Sequence, residues 1–382
     1  MTRPRRLLTV GHSYAVALNR RLPHELARAG RGRWEVTAAA PTFVHGDLRP
    51  IPLEAFPGEA NELVPVPAYQ TGRPHVMCYG RTLRRLFAER WDVIHAWVEP
   101  YVLAGAQLAR WARGRPFVPY TFQNISKRYP PPFSWGERFT LGRSAGWLAA
   151  GHTVEACLRD RRGYADKPHR VIPLGVDVEV FHPDAAAGAA VRRALGWDAD
   201  GPPVVGYLGR FIPAKGLHDL TAALDTLRTP WRAIFVGGGP MEAELRAWAV
   251  RHPDAARVVT GVPHDAVPAY LNAMDILAAP SRTTPAWKEQ LGRMLIEAMA
   301  CGVAVAGSNS GEIPFVIGDA GLVLPESDPA AWSAGLASLV DDPLRRADLA
   351  TAGLDRAHVA FAWPVVARQH LDFFDQLLGG PV

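Results

Sequence analysis

The chain is poor in lysine and cysteine. Only four of its 382 residues are lysine and three are cysteine. Cys78, Cys157 and Cys301 are widely spaced with no CxxC pair, which argues against a disulfide framework and against a zinc site. We therefore expect three reduced thiols, most of them in the core.

Long hydrophobic runs are also absent. No apolar stretch approaches the ~20 residues that a membrane-spanning helix needs. Arg3, Arg5 and Arg6 resemble the start of an export signal, but the apolar segment 7–10 is shorter than the ~7–15 residues that such a signal requires. We expect a cytoplasmic protein. Its 382 residues, 48% of them hydrophobic, favour two domains that each bury a core.

Positive charge is concentrated in the first half. Residues 1–185 carry 26 Lys+Arg against 16 Asp+Glu, whereas residues 186–382 carry 16 against 21. The arginines are scattered and lack the interleaved aromatics of an RNA-binding motif, so we expect no nucleic acid partner. Two interpretations stay open: a genomic bias towards arginine, or an anionic acceptor or peripheral membrane contact of the first half.

Short apolar segments alternate with segments of helical period along the whole chain. Strands such as 93–98 and 204–208 are apolar throughout, which is typical of parallel sheets covered by helices on both faces. The pattern predicts an α/β fold with two doubly wound parallel-sheet domains. Segment 173–190 is rich in Pro, Gly and Ala and is interpreted as the linker, and the proline-rich segment 41–75 as a loop.

Two cations follow the first strand of the second half. Gly209-Arg210-Phe211-Ile212-Pro213-Ala214-Lys215-Gly216 lies between a predicted strand and a predicted helix. A diphosphate is bound by such point charges beside the free N–H groups of a helix start. Because lysine is rare here, Lys215 is a candidate ligand of a diphosphate, with a solvated loop as the alternative.

Two carboxylates stand eight positions apart in the segment 289–302. On one continuous helix they would be separated by about 80° around the axis. Gly292 indicates instead that the helix begins near Gly292 or Arg293, with Glu289 in a loop before it and Glu297 one turn inside. Carboxylates beside a diphosphate would accept hydrogen bonds from hydroxyl groups, as a sugar presents.

Other motifs are weaker or absent. The chain has no GxxxxGK[ST] and no GxGxxG with its acidic partner, so neither a P-loop nor a dinucleotide fingerprint is present. Gly11 and His12 follow the first strand and are candidate phosphate or sugar contacts, with a turn that binds no ligand as the alternative. His95 and Glu99 lie near a strand end, where His95 is either a core histidine or an acceptor contact.

These motifs, together with Val171–Asp177 and Gly311–Pro314, resemble those of the retaining glycosyltransferases of family 4 (glycosyl transferases group 1). The resemblance extends over essentially the whole chain. It implies the GT-B fold, in which two Rossmann-like domains face a central cleft. Residues 1–176 would form the acceptor-binding domain, 177–359 the donor-binding domain, and a C-terminal helix at about 360–382 would pack back on the first.

The resemblance also implies roles for individual residues. Arg210 and Lys215 would neutralise the donor diphosphate, Glu289 would hold hydroxyls of the donor sugar, and Glu297 the ribose. Glu289, Arg210 and Lys215 are the catalytic candidates, and no metal or other cofactor is expected. Further donor-binding candidates are Gly11, Gln123, Val262, Leu291, Gly292 and Arg293. The acceptor-side candidates are His12, His95, Glu99 and Asn124.

The chain departs from the family pattern in the first domain. Many members have a histidine after a Thr-Phe strand end, where this chain has Gln123. An amide can hydrogen-bond a sugar but is not a base near neutral pH. Phe315 also stands where a carboxylate often follows Ile-Pro.

The sequence thus predicts a metal-independent glycosyltransferase that uses a nucleotide-diphosphate sugar as donor and retains the anomeric configuration. The acceptor would be a saccharide, a lipid-linked molecule or a small molecule. The alternatives are a GT-B-like nucleotide-sugar epimerase and a nucleotide-sugar-binding protein without turnover.

Overall fold

A computed structural model of the chain describes residues 3–46, 50–198 and 201–380. Two compact units emerge. The first extends to Pro173 and resumes at Trp363, and the second is Leu174–Ala362. The boundary predicted from the sequence lies three residues later, after residue 176.

The strands of the first unit are β1 (Arg5–Gly11), β2 (Trp34–Pro41), β3 (Phe43–His45), β4 (Pro50–Pro52), β5 (Glu62–Val66), β6 (Ala68–Tyr69), β7 (Cys78–Tyr79), β8 (Val93–Trp97), β9 (Phe117–Thr121), β10 (Trp147–Ala149) and β11 (His169–Val171). Seven of them form one sheet, all parallel, in the order β11-β10-β9-β8-β1-β2-β5. The helices are α1 (Arg21–Ala29), α2 (Arg81–Leu86), α3 (Leu103–Ala112), α4 (Phe133–Arg143) and α5 (His152–Leu158). The central strands β8 and β9 are buried at every residue, as expected for a sheet covered on both faces.

The prediction of a loop over residues 41–75 is wrong in part. This segment contains β3 to β6, and β5 is the edge strand of the main sheet. Pro65 lies within β5, and an edge strand tolerates proline because one side of it needs no ladder hydrogen bond. The proline content therefore indicated an edge strand rather than the absence of a strand. Helix α4 was not predicted either.

The second unit is built on a six-stranded parallel sheet in the order β14-β13-β12-β15-β16-β17. Its strands are β12 (Val204–Arg210), β13 (Arg232–Gly238), β14 (Ala256–Thr260), β15 (Ile276–Ala279), β16 (Ala304–Ser308) and β17 (Leu322–Leu324). Its helices are α6 (Ala185–Ala194), α7 (Leu217–Thr226), α8 (Glu242–Val250), α9 (Val267–Asn272), α10 (Arg293–Ala300), α11 (Ile313–Ile317), α12 (Pro329–Val340) and α13 (Pro343–Arg356). Two apolar clusters form its core.

The last third of the linker predicted over 173–190 is helical. Helix α6 begins directly after Asp184, whose side chain accepts a hydrogen bond from the Ala187 N–H at 2.9 Å and so caps the helix. Alanine has the highest helix propensity, so the small-residue stretch favours a helix once it is capped. Gly188 lies against the Asn272 backbone, where a Cβ would approach its carbonyl oxygen to 2.1 Å.

The last helix, α14 (Trp363–Leu377), belongs to the first unit. Its Asp375 forms ion pairs with Arg5 at 2.5 Å and Arg33 at 3.2 Å. Its Phe374 packs edge-on against Trp34, with ring centroids 6.2 Å apart. The chain thus returns to its first unit after the second is complete.

Each sheet has a switch point where the strand order reverses. In the first sheet β8 lies beside β1, and in the second β15 lies beside β12. Ligands of doubly wound sheets bind outside the carboxyl ends of the strands at such points. The residues that follow these four strands are therefore the first place to look for a site. No helix in the described parts of the chain is long and apolar enough to cross a membrane.

Candidate active site

Strand β12 ends at Arg210, the first of the two predicted cations. The chain then turns sharply towards the second, Lys215. Arg210 is the last residue of β12 and is exposed, whereas Lys215 lies in the turn Pro213–Lys215 and is 8% exposed. Gly216 has a φ of 68°, and a Cβ there would approach the Pro280 carbonyl oxygen to 1.8 Å. Only glycine fits this position, which brings the start of α7 against the chain that follows β15.

Lys215 and Glu289 are in direct contact at this switch point. The Lys215 Nζ lies 2.5 Å from Glu289 Oε2, and the Ser281 hydroxyl donates to the same oxygen at 2.8 Å. Both charged side chains are nine-tenths buried. A buried carboxylate is stable only when paired and hydrogen-bonded, and these two donors satisfy that condition. The Lys215 cation and the Glu289 carboxylate thus lie side by side, and Arg210 lies earlier in the chain, at the end of β12.

The helix start predicted beside Glu289 is confirmed. Helix α10 begins at Arg293, and Gly292 caps it with a φ of 78°. Glu289 lies in the preceding loop, where its carbonyl accepts from the Glu312 N–H at 3.1 Å. A Cβ at Gly311 would approach that carbonyl oxygen to 2.0 Å, so glycine is required for the close approach. The Gly311–Pro314 motif therefore fixes the backbone of Glu289.

Glu297 lies one turn inside α10 and is 6% exposed. Burial raises the pKa of Glu297 to about 7, although the Arg293 charge opposes this shift. The carboxyl is therefore poised between its two protonation states near neutral pH. Of the other donor-side candidates, Leu291 is buried, Arg293 and Val262 are half-buried, and Leu291 and Val262 pack on the apolar cluster around α10.

The corresponding switch point of the first unit brings four predicted residues to one edge of the sheet. Gly11 ends β1 and the exposed His12 follows it. Gln123 and Asn124 follow β9 and are buried. The Gln123 Nε2 donates to the Ile125 carbonyl at 3.3 Å, and its buried Oε1 has no partner among the described residues. An unpartnered buried amide oxygen can accept from a ligand hydroxyl.

Glu99 links the ends of β8 and β9. It accepts from the Phe122 N–H at 2.7 Å and from the Thr121 hydroxyl. Burial raises the pKa of Glu99 to about 7, and these two hydrogen bonds oppose the shift. Its oxygens thus hold the segment that leads into Gln123, which gives Glu99 a positioning role.

The interpretation of His95 as an acceptor contact is wrong. His95 has no exposed surface, and its Nδ1 lies 2.9 Å from the Thr9 hydroxyl. Its ring packs on Tyr120, His370 and Phe374. It is the core histidine of the alternative interpretation.

Sequence reasoning missed two residues that complete the buried pair. Ser281 is the second residue after β15, and its position just beyond the end of a switch-point strand was the available signal. Trp287 covers Lys215, whose Nζ lies 5.0 Å from the centre of the indole ring. Such a distance is typical of a cation–π contact. Nothing in the spacing of the sequence predicted that Trp287 turns back onto a lysine 72 positions earlier.

The chain is similar to known glycosyltransferases in sequence and in fold. The model of the glycosyl transferases group 1 matches residues 192–356, and that of glycosyltransferase family 4 matches residues 20–180. The alpha-maltose-1-phosphate synthase of Mycolicibacterium smegmatis is 30% identical over 292 residues, 72% of each chain. A GDP-mannose-dependent monoacylated alpha-(1-6)-phosphatidylinositol monomannoside mannosyltransferase of Corynebacterium glutamicum is 36% identical over 199 residues, 50% of this chain and 51% of the relative. The matches to the mannosyltransferases of this type thus span about half of their length.

Among solved structures, Anabaena HepE in complex with UDP matches 97% of this chain and 100% of its own at a TM-score of 0.74 and 18% identity. At that identity the likeness concerns the fold, which is the two-sheet GT-B architecture. By its motifs, the two family models and its relatives, the chain belongs to the glycosyl transferases group 1, the family 4 glycosyltransferases.

Proposed function

We propose that the chain is a glycosyltransferase that moves a sugar from a nucleotide-diphosphate sugar to an acceptor hydroxyl and retains the anomeric configuration. The observation that carries the proposal is the buried Lys215–Glu289 pair beside the start of α10, with Glu297 one turn inside. Lys215 and Arg210 would neutralise the leaving diphosphate, and Glu289 would accept from sugar hydroxyls.

The proposed order of events is inferred from Glu289 Oε2, the oxygen that Lys215 and Ser281 both contact. A diphosphate that draws the Lys215 ammonium towards its own oxygens loosens the 2.5 Å contact with Glu289. Glu289 Oε2 then has an open acceptor position, which a hydroxyl of the transferred sugar would fill. Donor binding would thereby prepare the carboxylate for the sugar, and positioning and charge stabilisation would do most of the catalytic work.

We further propose that the reaction needs no metal ion. Two cationic side chains already serve the diphosphate, and the described residues include no group of three metal-ligating side chains. Turnover should persist in EDTA. Loss of turnover in EDTA that Mg²⁺ or Mn²⁺ restores would contradict this.

The donor is best sought by a thermal-shift screen of GDP, UDP, ADP and TDP and their sugars, because a ligand that binds the folded chain raises its melting temperature. GDP-mannose is the first candidate, since two relatives are named for it and are 36% identical in the matched half. Their named acceptors are phosphatidylinositol mannosides, so a lipid-linked acceptor is tested beside saccharides. A cytoplasmic site of action stays a prediction.

The decisive assay is release of the nucleoside diphosphate with and without acceptor. A glycosyltransferase releases it in an acceptor-dependent way. An epimerase converts the sugar or releases nucleotide without acceptor, and a binding protein does neither. Either of the last two results would overturn the proposal.

A further inference from the structure

A cluster of six arginines lies on the first unit, away from every residue assigned above. Two adjoining cavities of about 370 and 490 Å³ share Arg84, Trp111 and Arg113 in their walls. Arg81 and Arg85 complete the basic lining of the first cavity, and Arg110 and Arg143 that of the second. We refer to these six arginines as the arginine cluster. Neither lining includes an acidic residue.

The cluster is exposed and without counter-ions. All six side chains belong to exposed residues, and none of them forms an ion pair or hydrogen bond to another residue in the described parts of the chain. The guanidinium carbon of Arg143 lies over the ring of Phe139, 3.7 Å from the ring centroid. By contrast, Arg5, Arg20 and Arg192 elsewhere in the chain each meet a carboxylate within 3.0 Å.

The C-terminal ends of three helices offset part of the positive charge of the arginine cluster. Arg84 and Arg85, Arg110 and Arg143 lie in the last turns of α2, α3 and α4, where cations are favourable. Each helix end is equivalent to about half a negative charge, so three ends offset roughly 1.5 of six positive charges. A substantial positive excess remains around Trp111.

The cluster is separate by topology from the candidate site residues of the first unit. Helices α2, α3 and α4 lead into β8, β9 and β10, so their C-terminal ends lie at the amino edge of the sheet. Gly11, His12, Glu99 and Gln123 lie at the opposite, carboxyl edge. A ligand in the cluster therefore lies at the opposite edge of this sheet from the proposed acceptor-side residues.

We infer that the arginine cluster is a binding site for a ligand that carries phosphate groups. Arginine matches phosphate oxygens with paired N–H donors, and the two cavities that Trp111 helps to line have the size of small-ligand sites. The half-buried Trp111 adds an apolar side chain to the lining of both cavities. The inference rests on the first unit alone and not on the proposed function.

The site is tested by phenylglyoxal labelling of the full-length chain with inorganic pyrophosphate as probe. Mass spectrometry reads each arginine separately, so any pyrophosphate at Arg210 is resolved from the cluster. We expect protection of Arg84 and Arg113 at least several-fold greater than that of the exposed Arg228 and Arg345. A second arm measures sedimentation with phosphatidylglycerol vesicles against phosphatidylcholine vesicles at low salt.

Matched variants decide whether the cluster or the total charge is responsible. Arg84→Glu/Arg113→Glu should weaken pyrophosphate or vesicle binding at least tenfold, whereas Arg228→Glu/Arg345→Glu, with the same change in net charge, should stay within about twofold of wild type. Circular dichroism checks that both variants fold.

Each outcome has one meaning. Protection by pyrophosphate without vesicle binding identifies a soluble phosphate ligand, and vesicle binding that Arg84→Glu/Arg113→Glu abolishes identifies a lipid headgroup; both support the site. Absence of both protection and vesicle binding, or equal loss in the two double variants, overturns the proposed site. The arginines would then reflect compositional bias alone.

Discussion

Glu289 and Glu297 occupy different environments, although each is buried. Glu289 shares its Oε2 with Lys215 and Ser281, whereas Glu297 lies inside α10 with a raised pKa. The sequence predicted different positions for the two carboxylates, one before the helix and one inside it, because Gly292 between them indicates a helix start. The Lys215 contact could not be predicted, since it depends on how two loops of different strands meet.

Replacing Glu289 should impair transfer more than nucleotide binding. Glu289→Gln leaves Lys215 free to bind a diphosphate, so affinity for the bare nucleoside diphosphate should stay within about twofold. Loss of a charged hydrogen-bond acceptor for the sugar costs about 1.5–3 kcal/mol, which should lower kcat/KM about ten- to a hundred-fold. Calorimetry and steady-state kinetics measure the two effects. A large loss of bare-nucleotide affinity would contradict the assignment to the sugar.

Nucleotide binding should depend on pH through Glu297. With a pKa of about 7, its carboxyl is mostly ionised at pH 8 and mostly protonated at pH 6. The carboxylate is the stronger acceptor for ribose hydroxyls, so affinity should fall several-fold from pH 8 to pH 6. Glu297→Gln should remove this component. The phosphate of the nucleotide also titrates, but equally for wild type and Glu297→Gln, so its effect cancels in the ratio of their dissociation constants. A ratio that does not change with pH would refute the prediction.

Trp287 should act on nucleotide affinity through Lys215. A cation–π contact contributes about 0.5–2 kcal/mol, so Trp287→Leu should weaken nucleoside diphosphate binding by about two- to thirtyfold. Trp287→Phe retains a ring face and should lose less. Trp135→Leu, at an exposed tryptophan of the first unit, is the control for general effects. Equal affinities of Trp287→Leu and Trp287→Phe would rule out the aromatic contribution.

At the scale of elements, the alternation of apolar strands and helices was readable because parallel strands are buried on both faces. The start of helix α10 and the strands 93–98 and 204–208 were predicted near the observed bounds of α10, β8 and β12. Helix α6 was missed because alanine and glycine suggest a linker unless the Asp184 cap is noticed. The edge strand β5 was missed because its prolines hide the strand pattern, and only its place in the sheet explains them.

The docking of α14 should weaken in acid. Burial lowers the pKa of His370 to about 4, and burial and the His370 charge lower the pKa of His95 well below its usual value. The unfolded chain binds protons near pH 6.5 that these buried rings do not accept. The free energy of unfolding should therefore fall as pH drops from about 6.5 to about 4.

Replacing His370 tests this element directly. His370→Leu removes one titrating ring from the α14 interface, so the dependence of unfolding on pH between 6.5 and 4 should become shallower. His358→Leu, at an exposed residue, should leave it unchanged. Urea unfolding at a series of pH values measures both. An identical slope in wild type and His370→Leu would exclude this histidine as the cause.

At the scale of the molecule, two independent parallel sheets are joined by a chain that returns to the first. Composition and strand pattern predicted the two domains, and the resemblance implied the returning helix. The partners of that helix could not be read from the sequence, because Asp375 meets Arg5 across 370 positions.

Deletion of the residues from Trp363 onward should destabilise the first unit and leave the stability of the second unchanged. Trp363, Leu371, Phe373 and Phe374 are at most 1% exposed, and each buried side chain of this size contributes about 1.5–3 kcal/mol. The truncated chain should lose hydrogen-exchange protection in peptides of β1 and β2, since Arg5 in β1, Trp34 in β2 and Arg33 directly before β2 lose their partners on α14. Peptides of β12 and β13 should keep theirs, because the core of the second unit comes from Leu174–Ala362. Equal loss of protection in both units would mean that they unfold as one cooperative body.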